Sequence, residues 1–508
     1  MIQELQAKGK KADVVAMKET NLTTVVLGSS KRKVATTVPR ANEGSYVEEA
    51  DPRRLTTTTT TKTDTVRVNI EKMLEQLSRP ARLDGYSIYR VPASVRDSVD
   101  NKHYEPRLVS IGPYHRSKHH LRAMEDRKRL YLLRFLHDQH DDDDGSGRRD
   151  GLLQDCVGRV RKLEARARAC YFESPATGDG EDDDMFVEML LLDGCFVVQL
   201  FIQWFCGATD PVFDVGWNLP LLHTDLLMLE NQIPYFVLLA LYDAYSHDPN
   251  RPPSARPKPS LTTIITSYFS EKEGRQPATT TATEDAIDHL LHLYHSTFVM
   301  PPPDHLPAPV QADCGGKLPR TIRCAKELTL HGVKFVRKPE TTNVLDVTFC
   351  RDTGVFQIPR VAIEDSTCIR YMNLVAFEQC RGEAAVAEKH LTSYVVLMDY
   401  LINTAEDVVI LDRADVMENK LANEEEAAKF FNQLRLSSYI NYDDHYLAPV
   451  YRDVDASAAA SGQNTRPNSA GTTSTARGRF RFLLGHHIRR HHLVQHHRHH
   501  IADVFPSL

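Results

Sequence analysis

The sequence lacks the short motifs by which many enzymes and metal proteins are recognised. None of the patterns GxxxxGKS/T, GxGxxG, HExxH or GxSxG occurs in its 508 residues, and there is no EF-hand loop. Its nine cysteines are scattered without a CxxC pair, which is typical of buried thiols in a reducing compartment. These absences predict a chain with no catalytic, cofactor-binding or metal-binding residues of a familiar type, and no cofactor is expected.

Excess charge of one sign and long apolar runs are also missing. The net charge is −6, so no strong field favours nucleic acid, and none is predicted as a partner. No apolar run reaches the roughly 18 residues that cross a bilayer. The first residues lack the apolar core of a secretory signal. We therefore expect a soluble cytoplasmic protein, or one attached to a membrane at most peripherally.

What the sequence does contain is helical periodicity. In LRAMEDRKRLYLLRFL the apolar residues recur along one face, and MFVEMLLLDGCFVVQLFIQWF is apolar nearly all round, which predicts a central buried helix. TSYVVLMDYLINT and EEEAAKFFNQL predict further helices. Thr404 with Asp407, and Asn423 with Glu426, have the spacing of helix starts.

One stretch has the period of a strand instead. In VLDVTFCRDTGVFQIP, apolar and polar residues alternate on both sides of Asp352-Thr353-Gly354, a turn sequence, and Pro359 ends the second run. The predicted fold class is mainly α: a multi-helix domain with a small β-hairpin, flanked by disordered N- and C-terminal segments.

Composition divides the chain into four parts. Residues 1–66 are rich in Thr and Lys and are expected to be disordered; residues 67–440 form the helical domain. Breaker-rich inserts such as DDDDGSGRRDG and SPATGDGEDDD are expected to be surface loops. Residues 441–478 are predicted as a linker, and residues 479–508 as a His/Arg-rich tail.

The most informative stretch is LLMLENQIPYFVLLAL, residues 226–241, where three polar residues interrupt an apolar run. Pro234 is incompatible with the interior of a straight helix. We expect one helix to end near Leu229 and another to begin with Pro234 in its first turn. Asn231 is expected to cap the second helix. Glu230 and Gln232 are expected to bind free backbone groups at this joint, with an Arg or Lys as partner of Glu230.

Two other interpretations of chemistry stay open. Glu230 could act as a catalytic carboxylate, and His115, in the turn SIGPYHR, could act as a catalytic base, although nothing in the sequence identifies partners for either. The acidic inserts are interpreted as solvated charge, because they lack the alternating ligands of a calcium site.

The tail could bind a metal weakly. His487 and His491, His492 and His496, and His496 and His500 are four residues apart, so a helix would place each pair on one face. The preferred interpretation is a basic low-complexity tail whose charge rises below about pH 6.5.

Taken together, these strings resemble one plant family, called domain of unknown function 247. The resemblance covers roughly residues 85–440, in order and at family-like spacing. The matching strings are IYRVPASVRDSVDNKHYEPRLVSIGPYHR, MLLLDGCFVVQLF, DLLMLENQIPYFVLLAL, AKELTLHGVKF, IPRVAIEDST, RYMNLVAFEQC, TSYVVLMDYLINTAEDVVIL and NEEEAAKFFNQL.

The absent catalytic motifs, the compact apolar blocks and the variable charged loops predict a non-enzymatic helical scaffold that binds a protein partner in signalling or recognition. The resemblance implies a plant protein with no established enzymatic activity. It implies a possible role in grass self-incompatibility, in development or in stress, and it supplies no catalytic residues. The alternative is an unrecognised hydrolase or transferase. Family members usually carry a membrane helix after the FNQL-type helix, where this sequence has the Ser/Ala/Thr-rich linker and the His/Arg tail.

Overall fold

The computed structural model describes residues 66–71, 86–99, 101–136, 145–173, 181–208, 212, 215–247, 259–274, 282–297, 319–339, 343–381, 389–436, 438–442 and 444–464. The chain divides into two units, Met1–Arg79 and Pro80–Leu508. In the first unit, residues 66–71 form a short helix. Residues 1–65, predicted to be disordered, and the tail with its histidine pairs lie outside the described residues.

The second unit is mainly helical, as predicted. Short 3-10 helices lie at Asn101–Tyr104, His119–Leu121 and Glu284–Ala286. The α-helices, numbered in chain order, are α1 (Ala93–Ser98), α2 (Arg122–Leu136), α3 (Gly145–Arg168), α4 (Glu181–Phe205), α5 (Asn218–Asp225), α6 (Tyr235–Ser246), α7 (Leu261–Lys272), α8 (Leu290–Ser296), α9 (Ala325–Leu330), α10 (Asp365–Cys380), α11 (His390–Leu401), α12 (Ala405–Arg413), α13 (Glu424–Leu436) and α14 (Ala448–Asn464).

Helix α4 is the centre of the first half of this unit. It packs against α2, α3, α6 and α7. By length and composition Asp182–Phe205 could cross a membrane, but 89% of its most apolar window is buried among these neighbours. Every face of α4 meets another helix, so a helix that is apolar on all sides buries apolar surface against all four neighbours at once. The prediction of a central buried helix is confirmed.

Helix starts follow local sequence rules. Thr404 and Asp407 form a reciprocal capping box at α12. The Glu426 N–H donates to Asn423 Oδ1 at 2.8 Å at the start of α13. Both predicted starts are confirmed. In two acidic inserts that were predicted as loops, α3 begins at Gly145 and α4 at Glu181. At the start of α4, the negative charges of the acidic residues interact favourably with the positive end of the helix dipole and stabilise the helix.

The β structure contains the predicted hairpin and three further strands. Strands β2 (Thr348–Cys350) and β3 (Val355–Ile358) pair antiparallel across a turn in which Gly354 has φ +65°. Strand β1 (Lys334–Arg337) joins β3 in parallel, giving the order β1-β3-β2. Strands β4 (Val361–Ile363) and β5 (Met417–Asn419) form a separate parallel pair.

Part of the predicted linker is a packed helix. α14 lies within residues 441–478, and its buried Tyr451, Val454 and Ala458 recur at helical spacing. The helix contacts β2. Alanine and serine are frequent at its other positions, which explains why composition alone indicates a linker.

Candidate functional site

The polar triplet lies in an irregular turn between α5 and α6, deep in the interior. Glu230, Asn231 and Gln232 are only 1–2% exposed. The helix break is confirmed, but its limits differ from the expectation. α5 already ends at Asp225, and Pro234 is the N-cap residue of α6 and precedes its first turn. The broken segment is therefore longer than expected, and it exposes more backbone groups that need partners.

Asn231 does not cap α6, so that prediction is wrong. The N-cap residue has no side-chain hydrogen bond. Asn231 Oδ1 accepts from the Ile111 N–H at 2.7 Å, and Nδ2 donates to Val109 O at 3.0 Å and to Asp225 O at 2.9 Å. The Asn231 side chain therefore pairs with the backbone of Val109 and Ile111, which is far away in the sequence, and with Asp225 O at the end of α5.

Gln232 closes the turn on itself and joins it to α8. Its Nε2 donates to Leu226 O at 2.9 Å and to Met228 O at 2.8 Å, and its Oε1 accepts from the Leu291 N–H at 3.2 Å. The expected role in binding free backbone groups is confirmed. All its side-chain bonds go to the main chain, so the residue acts as part of the scaffold.

Glu230 has the cationic partner that was expected, and the partner is Arg96 of α1. Glu230 Oε1 accepts from the Arg96 guanidinium and, at 2.6 Å, from the Val91 N–H. Arg96 Nε also donates to Val91 O at 3.2 Å. The ion pair therefore holds both backbone polar groups of one residue, Val91. Burial raises the pKa of Glu230, while the Val91 N–H and the charge of Arg96 act in the opposite direction.

His115 is brought against this pair. Its Nε2 lies 3.5 Å from Glu230 Oε2, and the side chain is 4% exposed. Neither ring nitrogen has a hydrogen-bond partner among the described residues. Burial, reinforced by the positive charges of Lys118, Arg96 and Arg90, lowers the pKa of His115 to about 3. The imidazole is neutral at pH 7, so this contact is not an ion pair.

Two more carboxylates continue the network. Asp225 accepts from the backbone N–H groups of Arg107, Leu108 and Val109 at 2.6–3.1 Å. Asp193, in the middle of α4, accepts from the Gly112 N–H at 2.8 Å and from Lys128 Nζ at 2.6 Å. Burial raises the pKa of Asp225 to about 6, and the three N–H groups oppose that rise.

Most contacts of Glu230, Asn231, Asp225 and Asp193 are made to one segment, which we name the N-terminal strap (residues 91–112). Side chains of α4, α5 and the following turn hold its backbone at both ends and in the middle. Asn373 of α10 adds another contact, because its Nδ2 donates to His103 O at 2.8 Å. Buried polar groups that are fully paired specify one arrangement of the chain. The network therefore fixes where the strap crosses the helices.

Gly112 is the point of closest approach. Its φ is +79°, and a Cβ there would lie 2.4 Å from Gln232 O. We expect Gly112→Ala to lower the free energy of unfolding by about 2 kcal/mol, from left-handed strain and the forced shift. Urea midpoints measure the loss. Gly151→Ala is the matched control, since its Cβ would meet nothing within 4 Å. Equal midpoints for the two variants would contradict the close approach.

The sequence indicated Glu230, Asn231 and His115 but missed several members of the network. Lys128 lies on the buried face of α2 between Met124 and Tyr131, and it is fully buried. Asp193 interrupts the apolar run of α4. A charge at an otherwise apolar helix position is the pattern that could have identified both, because such a charge requires a buried partner.

An open cleft of about 530 Å³ lies elsewhere, at the end of α4. It is bounded by α5 and α7, and Glu230 and His115 are not among its lining residues. The residues that line the cleft are Trp204, Phe205, Gly207, Ala208, Leu219, Ser267, Glu271 and Lys272.

The described residues contain no group of three or more His, Cys, Asp or Glu side chains arranged to hold a metal ion.

Comparisons with known proteins agree with one another. The model of domain of unknown function 247, described as a plant protein of unknown function, matches residues 88–471. A UPF0481 protein of Arabidopsis thaliana is 30% identical over 393 residues, covering 72% of this chain and 76% of the relative. A putative UPF0481 protein of the same plant is 23% identical over 455 residues, covering 73% and 82%. No solved structure matches.

Proposed function

This chain belongs to the plant family called domain of unknown function 247, and on that premise we propose that it is a non-enzymatic recognition protein that binds a protein partner in signalling. One observation carries the proposal. The polar residues that could have formed a catalytic site, Glu230, Asn231 and Gln232, are sealed in the interior with their hydrogen bonds directed to backbone or to Arg96. Residues used in this way hold the scaffold in one arrangement.

The surface supports the same proposal. Large apolar side chains face solvent, among them Trp217, which is 74% exposed, and Tyr439, which is 73% exposed. Exposed aromatic residues are enriched at protein interfaces. The family resemblance suggests that the recognition serves self-incompatibility, as in grasses, or development or stress.

Purification with crosslinking from plant tissue tests the proposal. A reproducible protein partner should be recovered with the chain at a constant ratio. Recovery of no protein, together with a small molecule bound in stoichiometric amount, would contradict it. The same preparation tests a further proposal, that membrane attachment is at most peripheral. Alkaline carbonate should then release the chain from membranes, and retention in the pellet would refute that proposal.

An unrecognised hydrolase or transferase is the second candidate, and one contact favours it. His115 lies 3.5 Å from Glu230 and has unused ring nitrogens among the described residues. Its side chain is buried, so a substrate would require the N-terminal strap to open. Purified protein and the His115→Gln variant should be compared on ester and phosphate substrates. Turnover that disappears in the variant, at an unchanged urea midpoint, would establish the enzyme.

A further inference from the structure

Strand β1 has an outer edge with no strand beside it in the part of the chain that the structure describes. The Lys334 N–H donates to Gly354 O, and the Lys338 N–H to Ile358 O, both at 2.9 Å. Hydrogen-bonding direction alternates along a strand, so Lys334, Val336 and Lys338 bond toward β3. The N–H and C=O groups of Phe335 and Arg337 consequently point outward, away from the sheet.

The side chains of β1 are packed against the protein on one face of the strand and exposed to solvent on the other. Phe335 is buried, and its ring stacks on that of Phe356 with centroids 5.6 Å apart. Lys334 and Val336 lie on the opposite face, and both are exposed. An added strand would therefore meet a fixed backbone together with one cationic and one aliphatic side chain.

Charge decides what can pair there. Lys334, Arg337 and Lys338 fall within five residues, with no acidic residue among them. Arg337 pairs with Asp415 and Lys338 with Asp346, whereas Lys334 has no ion pair among the described residues. A second copy of the chain, paired antiparallel edge to edge, would place cations opposite cations, which is unfavourable.

We propose that the outer edge of β1 binds an extended acidic segment of a partner protein, which adds to the sheet as a fourth strand. Backbone groups of the segment bond to those of Phe335 and Arg337. An acidic side chain lies opposite Lys334, and an aliphatic side chain lies opposite Val336. Addition of a strand at a sheet edge is a common mode of peptide recognition. This inference rests on the proposed function and names the surface that performs it.

Two substitutions at one position separate backbone pairing from charge. Arg337→Ala and Arg337→Pro both remove the ion pair with Asp415, but only proline also removes the outward N–H. The bonds between β1 and β3 use neighbouring residues, so proline at this edge position leaves them in place. Lys334→Glu reverses the charge without any change to the backbone. Thermal unfolding identifies any variant that does not fold.

The probe is a short capped peptide with a Val-Ile-Glu centre and a fluorescent label. It should bind the wild-type chain and Arg337→Ala with similar affinity. It should bind Arg337→Pro and Lys334→Glu at least about tenfold more weakly, which is about 1.4 kcal/mol. Hydrogen exchange provides a second measurement: the peptide should protect the amides of Phe335 and Arg337, while that of Val336 is already protected.

Three results would overturn the inference. One is no binding to the wild type, and another is equal binding to Arg337→Pro and Arg337→Ala. The third is a wild-type dimer that dissociates in Arg337→Pro, since a second copy would then cover the edge. Failure here is distinct from failure of the proposed function: a crosslinked partner recovered equally with wild type and Arg337→Pro leaves partner binding intact and places it on another surface.

Discussion

Glu230→Ala should lower the free energy of unfolding by about 3–5 kcal/mol, because it removes the carboxylate that pairs with the largely buried Arg96 guanidinium and with the buried Val91 N–H. Only 18% of the Arg96 side chain is exposed, and the Val91 N–H loses its hydrogen bond at the same time. Domains of this kind are stable by roughly 5–15 kcal/mol, so the substitution removes a large share of the total. The shift in urea midpoint, with the slope of the transition unchanged, is the measurement.

Two controls make the result specific. Glu188→Ala removes an exposed carboxylate from α4 and should change stability by less than about 0.5 kcal/mol. Glu230→Gln keeps the hydrogen-bond acceptor for the Val91 N–H and removes only the charge. Its loss of free energy of unfolding should therefore lie between those of Glu188→Ala and Glu230→Ala. A wild-type midpoint for Glu230→Ala, together with loss of the protein partner, would show that Glu230 belongs to a binding site and not to the scaffold.

His445→Phe should make the protein markedly more resistant to acid. His445 is nearly buried against Tyr451, with ring centroids 5.1 Å apart, and its ring nitrogens have no hydrogen bond among the described residues. Burial lowers its pKa from 6.5 to about 4, against the opposing charge of Asp444. The neutral ring therefore contributes stability above pH 6.5, and this contribution is lost as the pH falls from 6.5 toward 4, because the unfolded chain takes up the proton first.

Because of His445 alone, the free energy of unfolding of the wild type should fall by about 2 kcal/mol between pH 7 and pH 5. The rate of this fall is about 1.36 kcal/mol for each pH unit below 6.5. The phenylalanine variant takes up no proton there, so the stability difference between the two proteins should shift by that amount. Urea unfolding at the two pH values measures it. His119→Phe, at an exposed position, should follow the wild type. The same shift in both variants would show that the site of His445 does not matter.

Helices and their starts could be predicted because their signals are local. The capping pair Thr404 and Asp407 and the apolar surface of α4 each lie within one element. The two-residue alternation around Asp352-Thr353-Gly354 was likewise sufficient for the β2–β3 hairpin. Strand β1 could not be predicted, because Phe335 is its only buried residue and the sequence therefore lacks the alternation of apolar and polar residues that identifies a strand. β4 and β5 are three residues each, which is too short for a pattern.

The polar site was predictable in kind and not in detail. A glutamate within an apolar run requires a cation, but nothing near Glu230 in the sequence identifies Arg96, which lies 134 residues earlier. Asn231 was assigned to its own helix because local capping is the only role that a sequence can display. Two of its actual partners, Val109 and Ile111, are distant in the sequence and become neighbours only when α4, α5 and α6 have assembled.

The N-terminal strap has a consequence for how the protein is made. Val91 leaves the ribosome well before Glu230, which follows 139 residues later, and His103 precedes Asn373 by 270. At roughly 5–20 residues per second, Val91 waits on the order of ten seconds for Glu230. Contacts of such long sequence separation form late, after the costly closure of large loops. During synthesis the start of the strap therefore stays available to chaperones until Glu230 has been made.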